Sequence, residues 1–291
     1  MDDLSRRHFL LKAQNPDGGW GYFRGRTSWL EPTAWAALAL HGDPAAEKAY
    51  RLVRGWQNAD GSARPSAKVE SPHWSAALIV KLAVLRRDSV VIERGVKHLM
   101  ETVGSESGLL MRLLHFLDPQ NSDREPRFEG WPWRAGASAW IEPTVHSITA
   151  LRMAKPLLKK PDPRIDVRVT SAQNMIWHQR CRRGGGWNYG ARVAREVSLD
   201  PFPETTALAL IGLLGRKGLR ESIETALRLG TRDSSPLTQA WLALGSRLHG
   251  IESGAVTPAV ASAASRDILV AAVSEVAAPD GNWRLMAERK A

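Results

Sequence analysis

The sequence predicts an all-α fold made of two concentric layers of helices, and three observations lead to this prediction. Stretches with helical periodicity or long Ala-rich apolar runs occupy most of the chain, whereas a sustained two-residue alternation typical of strands is absent. Helices that are apolar on all sides alternate with amphipathic ones. A fifteen-residue segment also recurs, which is typical of a repeat architecture.

The recurring segment sets the register of the repeats. It reads GWGYFRGRTSWLEPT at 19–33 and GWPWRAGASAWIEPT at 130–144, without a gap, so that Glu31 matches Glu142, 111 residues later. A looser third copy consists of GWNYG followed, after an insertion, by PFPETTALAL, and it places Glu204 at the same position. The chain therefore contains at least three copies of one structural unit.

An apolar helix follows each copy of the segment. The three helices begin with TAWAALAL, TVHSITALRM and TALALIGLLG, and two more begin with Ser-Pro, at Ser71 and Ser235. Ser at the N-cap with Pro at the first helical position is a common start signal, and a Glu near the cap suits the positive end of the helix dipole. We expect these five helices to begin at the Glu or the Ser and to form the inner layer.

More polar, amphipathic helices lie between the apolar ones and are expected to form the outer layer. The pattern places them at about 3–14, 44–57, 88–103, 163–179, 218–229 and 262–277. We therefore predict a single domain over 1–291 with five to six helix-hairpin repeats, of which five are complete.

A short turn motif marks the ends of the outer helices. QNPDGGW runs from Gln14 to Trp20, and partial versions occur as QNADGSA and AAPDGNW. Asp-Gly turns the chain, Gln can bond to free backbone groups at a helix end, and Trp packs over the turn. Gln-x3-Gly-x-Trp is the QW motif of the squalene–hopene and oxidosqualene cyclases. The whole chain resembles the α/α toroid shared by those terpene cyclases and the β subunits of protein prenyltransferases.

The resemblance implies an enzyme that acts on an isoprenoid in a central, aromatic-lined cavity, either as a terpenoid-cyclase-like isomerase or as a prenyltransferase. In class II cyclases the middle residue of an Asp-x-Asp-Asp motif, at the start of an inner helix, protonates an alkene or epoxide. The matching residues here are Glu204, Glu142 and Glu31, with Trp or Phe in place of the first Asp and Pro or Thr in place of the last. They are the candidate catalytic residues, while helix capping is the alternative role.

Aromatic side chains near these glutamates are candidate substrate-binding residues. Aromatic faces stabilise cations and also suit a prenyl chain, although packing between repeats would use the same residues. Trp35, His146 and Gln239 take equivalent helix positions, which suggests side chains that face one common space. The candidates are Tyr22, Trp29, Trp35, Trp133, Trp140 and His146.

A basic, glycine-rich turn is the candidate diphosphate site. The stretch RCRRGGGW groups Arg180, Arg182 and Arg183 beside three glycines, where guanidinium groups and free amides could bind phosphate oxygens. A solvated basic turn is the alternative. The lone Cys181 excludes a multi-cysteine metal site, and His146 and His73 lack further ligands at helical spacing, so we expect neither a metal nor a cofactor.

Charge and hydropathy suggest the partners and the compartment. The net charge of +10 favours anionic partners, but no nucleic-acid-binding fold accompanies it, so we expect an isoprenoid or another hydrophobic small molecule and no nucleic acid. The charged start and the lack of an apolar run of about 20 residues predict a cytoplasmic protein, and a peripheral membrane contact stays open.

Two other functions remain open at this stage. One is a non-catalytic toroid that binds a lipid or a protein partner, and the other is a carbohydrate-active toroid that uses two glutamates. The geometry at the centre of the fold distinguishes the non-catalytic binding toroid from the isoprenoid enzyme. A deep apolar cavity beside a buried Glu favours the enzyme, and a filled centre favours the binding protein.

Overall fold

The fold is all-α apart from one minimal hairpin. The computed structural model describes residues 3–70, 74–117, 124–160, 162–194, 197–233, 235–251 and 267–287. In chain order the helices are α1 (Asp3–Ala13), α2 (Leu30–Ala39), α3 (Pro44–Arg54), α4 (Ala76–Arg86), α5 (Ser89–Glu101), α6 (Leu109–Leu117), α7 (Ile141–Ala154), α8 (Arg164–His178), α9 (Pro203–Gly212), α10 (Arg220–Gly230), α11 (Pro236–Leu248) and α12 (Ile268–Val276). Two short strands, β1 (Val193–Ala194) and β2 (Val197–Ser198), pair antiparallel.

Six of the helices are buried along almost their whole length: α2, α4, α7, α9, α11 and α12. Each of these helices packs on the next one in that order. The last of them, α12, packs on the first, α2, so the contacts form a closed cycle. Burial on every face explains why these helices are rich in Ala and Leu with little amphipathic character. The apolar pattern of the sequence thus marks the helices that have protein on all sides.

Five of the described amphipathic helices lie against one or two of the buried ones, and α6 does not. The pairs with the most extensive packing are α1 with α12, α3 with α2, α5 with α4, α8 with α7, and α10 with α9. In α3 the buried side chains are Ala46, Ala49, Tyr50 and Val53, a helical stripe that faces α2. The spans predicted for these five helices agree with the observed ones to within a few residues.

The last helix differs from its prediction. The sequence predicts an amphipathic outer helix over 262–277. The structure describes this segment from residue 267, where α12 covers Ile268–Val276 and eight of its nine residues are buried. It fills the gap between α11 and α2, with α1 on its outer side. The prediction of an outer helix was therefore wrong for the described part of this segment, because seven of the nine residues of α12 are apolar and Ser274 is buried with them. The sixth helix pair consists of the first and last helices of the chain.

A tryptophan staple recurs in three repeats and joins the two kinds of helix. The indole Nε1 donates to a carbonyl near the end of the preceding amphipathic helix: Trp20 to Leu10 (2.8 Å), Trp131 to Leu99 (2.9 Å) and Trp187 to Ile176 (2.5 Å). The backbone amide of the same residue donates to a Thr hydroxyl in the first turn of the next buried helix, namely Thr33, Thr144 and Thr206. This contact explains why Gly precedes the Trp: a Cβ on Gly186 would stand 2.6 Å from the Thr206 hydroxyl.

The starts of the buried helices also differ from the prediction. The N-cap residues of α2, α7 and α9 are Trp29, Trp140 and Phe202, and none of them makes a side-chain cap hydrogen bond. The repeated Glu is the second residue of each helix rather than its cap, so capping does not account for it. At α11 the expected Ser235 cap and Pro236 are confirmed. The start expected at Ser71 lies outside the described residues.

Candidate functional site

The repeated glutamates come together at one end of the buried helices. Glu142 and Glu204 line a narrow cleft with Trp133, Trp140 and Tyr189, and this set, together with Glu31, is called the carboxyl cleft below. Its free volume of about 10 Å³ accommodates roughly one water molecule. The three carboxyls lie close enough that the charge of Glu204 acts on Glu31 and the charges of Glu31 and Glu204 act on Glu142.

Glu31 is the member with a phenol partner. The Tyr22 hydroxyl donates a hydrogen bond of 2.5 Å to its Oε2. Burial raises the pKa of Glu31, the Tyr22 hydrogen bond lowers it, and the negative charges of Glu204 and Asp267 raise it again. Burial and the charge of Glu31 raise the pKa of Tyr22 in turn, so Tyr22 stays protonated and acts as a donor.

Glu142 lies between the other two glutamates. Its side chain is 24% exposed, and burial followed by the charges of Glu31 and Glu204 raises its pKa well above the usual value. Burial and Asp233 raise the pKa of Glu204. Since like charges at short range disfavour ionisation, the cleft favours either a shared proton or a bound cation.

Aromatic side chains frame the carboxyls, as the sequence predicts for four of the candidates. Tyr22 and Trp29 lie with ring centroids 6.3 Å apart, and Trp133 and Trp140 line the cleft. All four are partly exposed. The structure thus brings the repeat aromatics and the repeat glutamates into one region.

The remaining two aromatic candidates lie deeper, where side chains fill the centre. Trp35 packs edge-on against Trp241 at 4.9 Å and contacts His146 at 5.8 Å, and Trp74 stacks on His146 at 5.0 Å. Trp35, His146 and Trp241 are at most 1% exposed. The third equivalent position, Gln239, points elsewhere: its amide bonds to the carbonyls of Gly230 and Asp233, and Trp241 occupies the centre instead.

A buried lysine completes this centre, and the sequence analysis missed it. Lys81 of α4 is fully buried, and its Nζ lies 3.0 Å from Nδ1 of His146 and 5.3 Å from the centroid of the Trp35 ring. It forms no ion pair within the described part of the chain. Burial lowers its pKa to about 7. Trp35, Lys81, His146 and Trp241 are called the closed centre below.

His146 is the member of the closed centre that lies next to Glu142 of the carboxyl cleft. Burial and then the charge of Lys81 lower its pKa well below the usual value, so the imidazole is neutral. Its Nδ1 faces Lys81, and its Nε2 lies 3.9 Å from Oε1 of Glu142 without a hydrogen bond to the described residues. A signal for Lys81 was present: it is the only charged residue within the apolar run AALIVKLAVL.

The three candidate arginines lie at another turn. Arg180 pairs with Glu221, donates to the Gly185 carbonyl at 3.0 Å and stands over the Trp177 ring, while Arg182 and Arg183 are exposed. None of the three lines the carboxyl cleft. The neighbouring Cys181 is buried, and burial raises its pKa, which disfavours a nucleophilic role.

The described ranges contain no candidate metal site. No set of three His, Cys, Asp or Glu side chains in these ranges is arranged to hold an ion. His73, one of the two histidines considered for a metal, lies outside those ranges. A search of the same residues finds no helix long and apolar enough to cross a membrane.

Comparison with known proteins adds information about the fold alone. No protein-family model matches the chain, and no curated protein matches it in sequence. The chain is similar to a crystal structure of a protein from Actinoplanes, with a TM-score of 0.54 and 20% identity over 89% of this chain and 79% of that one.

Proposed function

We propose that the chain is an α/α toroid and acts as a binding protein that takes a cationic group of a protein partner in the carboxyl cleft. The toroid is supported by the order of contacts from α2 through α12 back to α2, and by the amphipathic helices that lie outside it. The proposal extends that arrangement to two concentric rings within a single domain.

The single observation that carries the binding role is the contrast between a filled centre and an acidic mouth. A prenyl chain needs a pocket of several hundred Å³, on the order of 300 Å³ or more. The carboxyl cleft offers about 10 Å³, and the closed centre beneath it is packed with side chains. An isoprenoid that entered would first have to displace buried tryptophans.

The chemistry of the cleft favours a cation. The pKa values of the three carboxyls are raised, which means that their ionised forms are disfavoured. A positive group in the cleft would stabilise the ionised carboxylates, because it offsets their mutual repulsion. The rings of Trp133, Trp140 and Tyr189 provide faces for cation–π contact. The site suits the charged end of an Arg or Lys side chain, or a small amine, held at the mouth of the cleft, because its free volume of about 10 Å³ admits no more than that.

A peptide selection tests the binding role. A random peptide library displayed on phage is selected on the wild type, and the affinity of the enriched peptides is then measured for the wild type and for Glu142→Gln. We expect enriched peptides to contain Arg or Lys and to lose at least tenfold in affinity on Glu142→Gln. The matched control is Glu47→Gln on α3, an exposed carboxyl paired with Arg86. Peptides without a basic residue, or an affinity that Glu142→Gln leaves intact, would reject the proposal.

Acid catalysis on an isoprenoid is the second candidate, and the raised pKa of Glu142 favours it. A carboxyl with a raised pKa keeps its proton to higher pH than usual and can donate it to an alkene, and neighbouring aromatic faces can stabilise the cation that results. The assay incubates the protein with farnesyl diphosphate, geranylgeranyl diphosphate or squalene and analyses products by gas chromatography and mass spectrometry. Cyclised products that vanish in Glu142→Gln and in Glu204→Gln would establish this function in place of binding.

A further inference from the structure

Helix α6 exposes its apolar side chains, whereas a normal surface helix buries them. Seven of its nine residues are large and apolar, and all seven are exposed; they are Leu109, Leu110, Met111, Leu113, Leu114, Phe116 and Leu117. Leu109 is 86% exposed and Phe116 is 81% exposed. No residue of α6 is buried. About half of the exposed large hydrophobic side chains in the described ranges therefore belong to this single helix.

The two polar residues of α6 face the protein. Arg112 donates to the Ser107 carbonyl at 2.9 Å and pairs with Glu129 at 2.6 Å, and His115 lies 3.9 Å from Glu125. These contacts fix the orientation of the helix and turn its apolar side outward. Contiguous apolar patches of this kind mark surfaces that another body covers.

Two candidate covers are disfavoured. The residues that directly follow α6, 118–123, read DPQNSD and offer no apolar side chain. A second copy would bring together two chains with a net charge of +10 each. A nine-residue helix is also only about 14 Å long, and so contributes much less than the roughly 800 Å² per partner of a stable dimer.

An anionic lipid surface fits both the apolar face and the charge beside it. Lipid requires apolar contact without specific hydrogen bonds, and the outward side of α6 offers no hydrogen-bonding side chain. An open groove of about 690 Å³ that includes Arg112 carries six Lys and Arg side chains against four Asp and Glu. Five of these basic side chains are exposed, and the three arginines among them also pair with carboxylates; the five are Lys97, Arg112, Arg127, Lys160 and Arg164. Basic residues at a bilayer surface are attracted to anionic headgroups.

We propose that α6 is a docking helix that lies in the surface of an anionic lipid bilayer, with its apolar side among the lipids and the basic groove toward the headgroups. This inference is independent of the ligand of the carboxyl cleft. It assigns a surface to the peripheral membrane contact that the sequence analysis leaves open.

Vesicle sedimentation with the full chain tests the proposal. The probes are vesicles of phosphatidylcholine with 30% phosphatidylglycerol and vesicles of phosphatidylcholine alone. We expect the wild type to bind the anionic vesicles, and Leu113→Glu with Phe116→Glu to bind them at least tenfold more weakly. Both side chains are exposed, so circular dichroism should show an unchanged fold. Val197→Glu places one such charge on the exposed β2 and serves as the control, and we expect it to bind like the wild type.

A fluorescent label provides a second readout that does not depend on the acidic variants. Cys181 is buried, so Leu117→Cys and Val197→Cys each present one reactive thiol for an NBD label. We expect anionic vesicles to shift the NBD emission to the blue at residue 117 and to leave it unchanged at residue 197. Absence of binding by the wild type, or equal binding by the acidic variant, would overturn the proposal. A dimer that the acidic variant converts to a monomer would assign α6 to a second copy instead.

Discussion

The carboxyl cleft and the closed centre share two helices, α2 and α7, but differ in the charged groups they contain. Glu31 and Trp35 are one turn apart on α2, and Glu142 and His146 are one turn apart on α7. The first turns of α2 and α7 carry carboxyls of like charge that remain partly open to solvent. The next turns carry Trp35 and His146, which contact the buried Lys81 of α4. One helical turn therefore separates a position that a ligand can reach from a position in the core.

The comparison shows that aromatic residues in a repeat have different roles at different depths. Trp133 and Trp140 line an opening, whereas Trp35 and Trp241 contact each other and leave no room for a ligand. A high tryptophan content alone cannot separate these cases, because packing and binding both use large rings. The burial of each ring decides between them.

The largest expected difference is between tryptophans of the two regions. Trp241→Ala removes a side chain that is 1% exposed and leaves a cavity in the closed centre. We expect a loss of about 3 to 5 kcal/mol in the free energy of unfolding. Trp133→Ala removes a partly exposed ring, and we expect a loss of about 1 kcal/mol. Urea unfolding measures both, and equal losses would show that the cleft and the centre are one continuous core.

Lys81 should produce the next largest effect, visible as a dependence on pH. Its pKa is about 7 in the folded protein, below its value in the unfolded chain, so the unfolded state binds more protons between these two values. Stability should therefore rise as the pH rises from 7, by about 3 kcal/mol at pH 9.5. Lys81→Met should be more stable than the wild type at pH 7 and should lose this rise.

Urea unfolding at pH 7 and pH 9.5 checks the Lys81 prediction. Lys97→Met serves as the control, since Lys97 is an exposed lysine on α5 and its replacement should retain the rise. A rise of the same size in Lys81→Met would mean that Lys81 is charged and compensated at neutral pH. The closed centre would then be more polar than the packing indicates.

Glu142 should change the free energy of unfolding less than Lys81 does, and its contribution should fall rather than rise with increasing pH. Its pKa is higher in the folded protein than in the unfolded chain. Between these two pKa values the folded state binds more protons than the unfolded state, so stability falls as the pH rises through that range. Glu142→Gln should reduce this fall and stabilise the protein at pH 7 by about 1 kcal/mol, the size of one like-charge contact near solvent. Thermal unfolding between pH 4 and pH 8 measures it. Destabilisation at pH 7 would indicate that the carboxylate has a partner which the like charges around it do not suggest.

The sequence predicted which helices are buried on every face better than it predicted the site. Helix type could be predicted because burial on all faces and burial on one face leave different patterns, and the repeats fixed the register of Glu31, Glu142 and Glu204. The misassigned α12 shows the limit of this argument, because a nine-residue helix with seven apolar residues carries no sign of which neighbours surround it. Lys81 was missed because it belongs to α4, which lacks the repeated Glu, and only the fold brings it to His146.

Helix α6 shows a second limit. Its sequence, LLMRLLHFL, has a clear apolar side, and that side would normally be assigned to the core. Its outward direction depends on contacts of Arg112 and His115 with residues distant in sequence, which no local pattern records.

The most direct test of the account is an analysis of what the protein carries. The wild type and Glu204→Gln are purified from a terpenoid-producing host, extracted and analysed for bound lipids by mass spectrometry. Because the closed centre leaves no room for a prenyl chain, the account predicts that no isoprenoid is retained by either form. An isoprenoid that the wild type converts and that accumulates on Glu204→Gln would contradict the account and make the carboxyl cleft an active site.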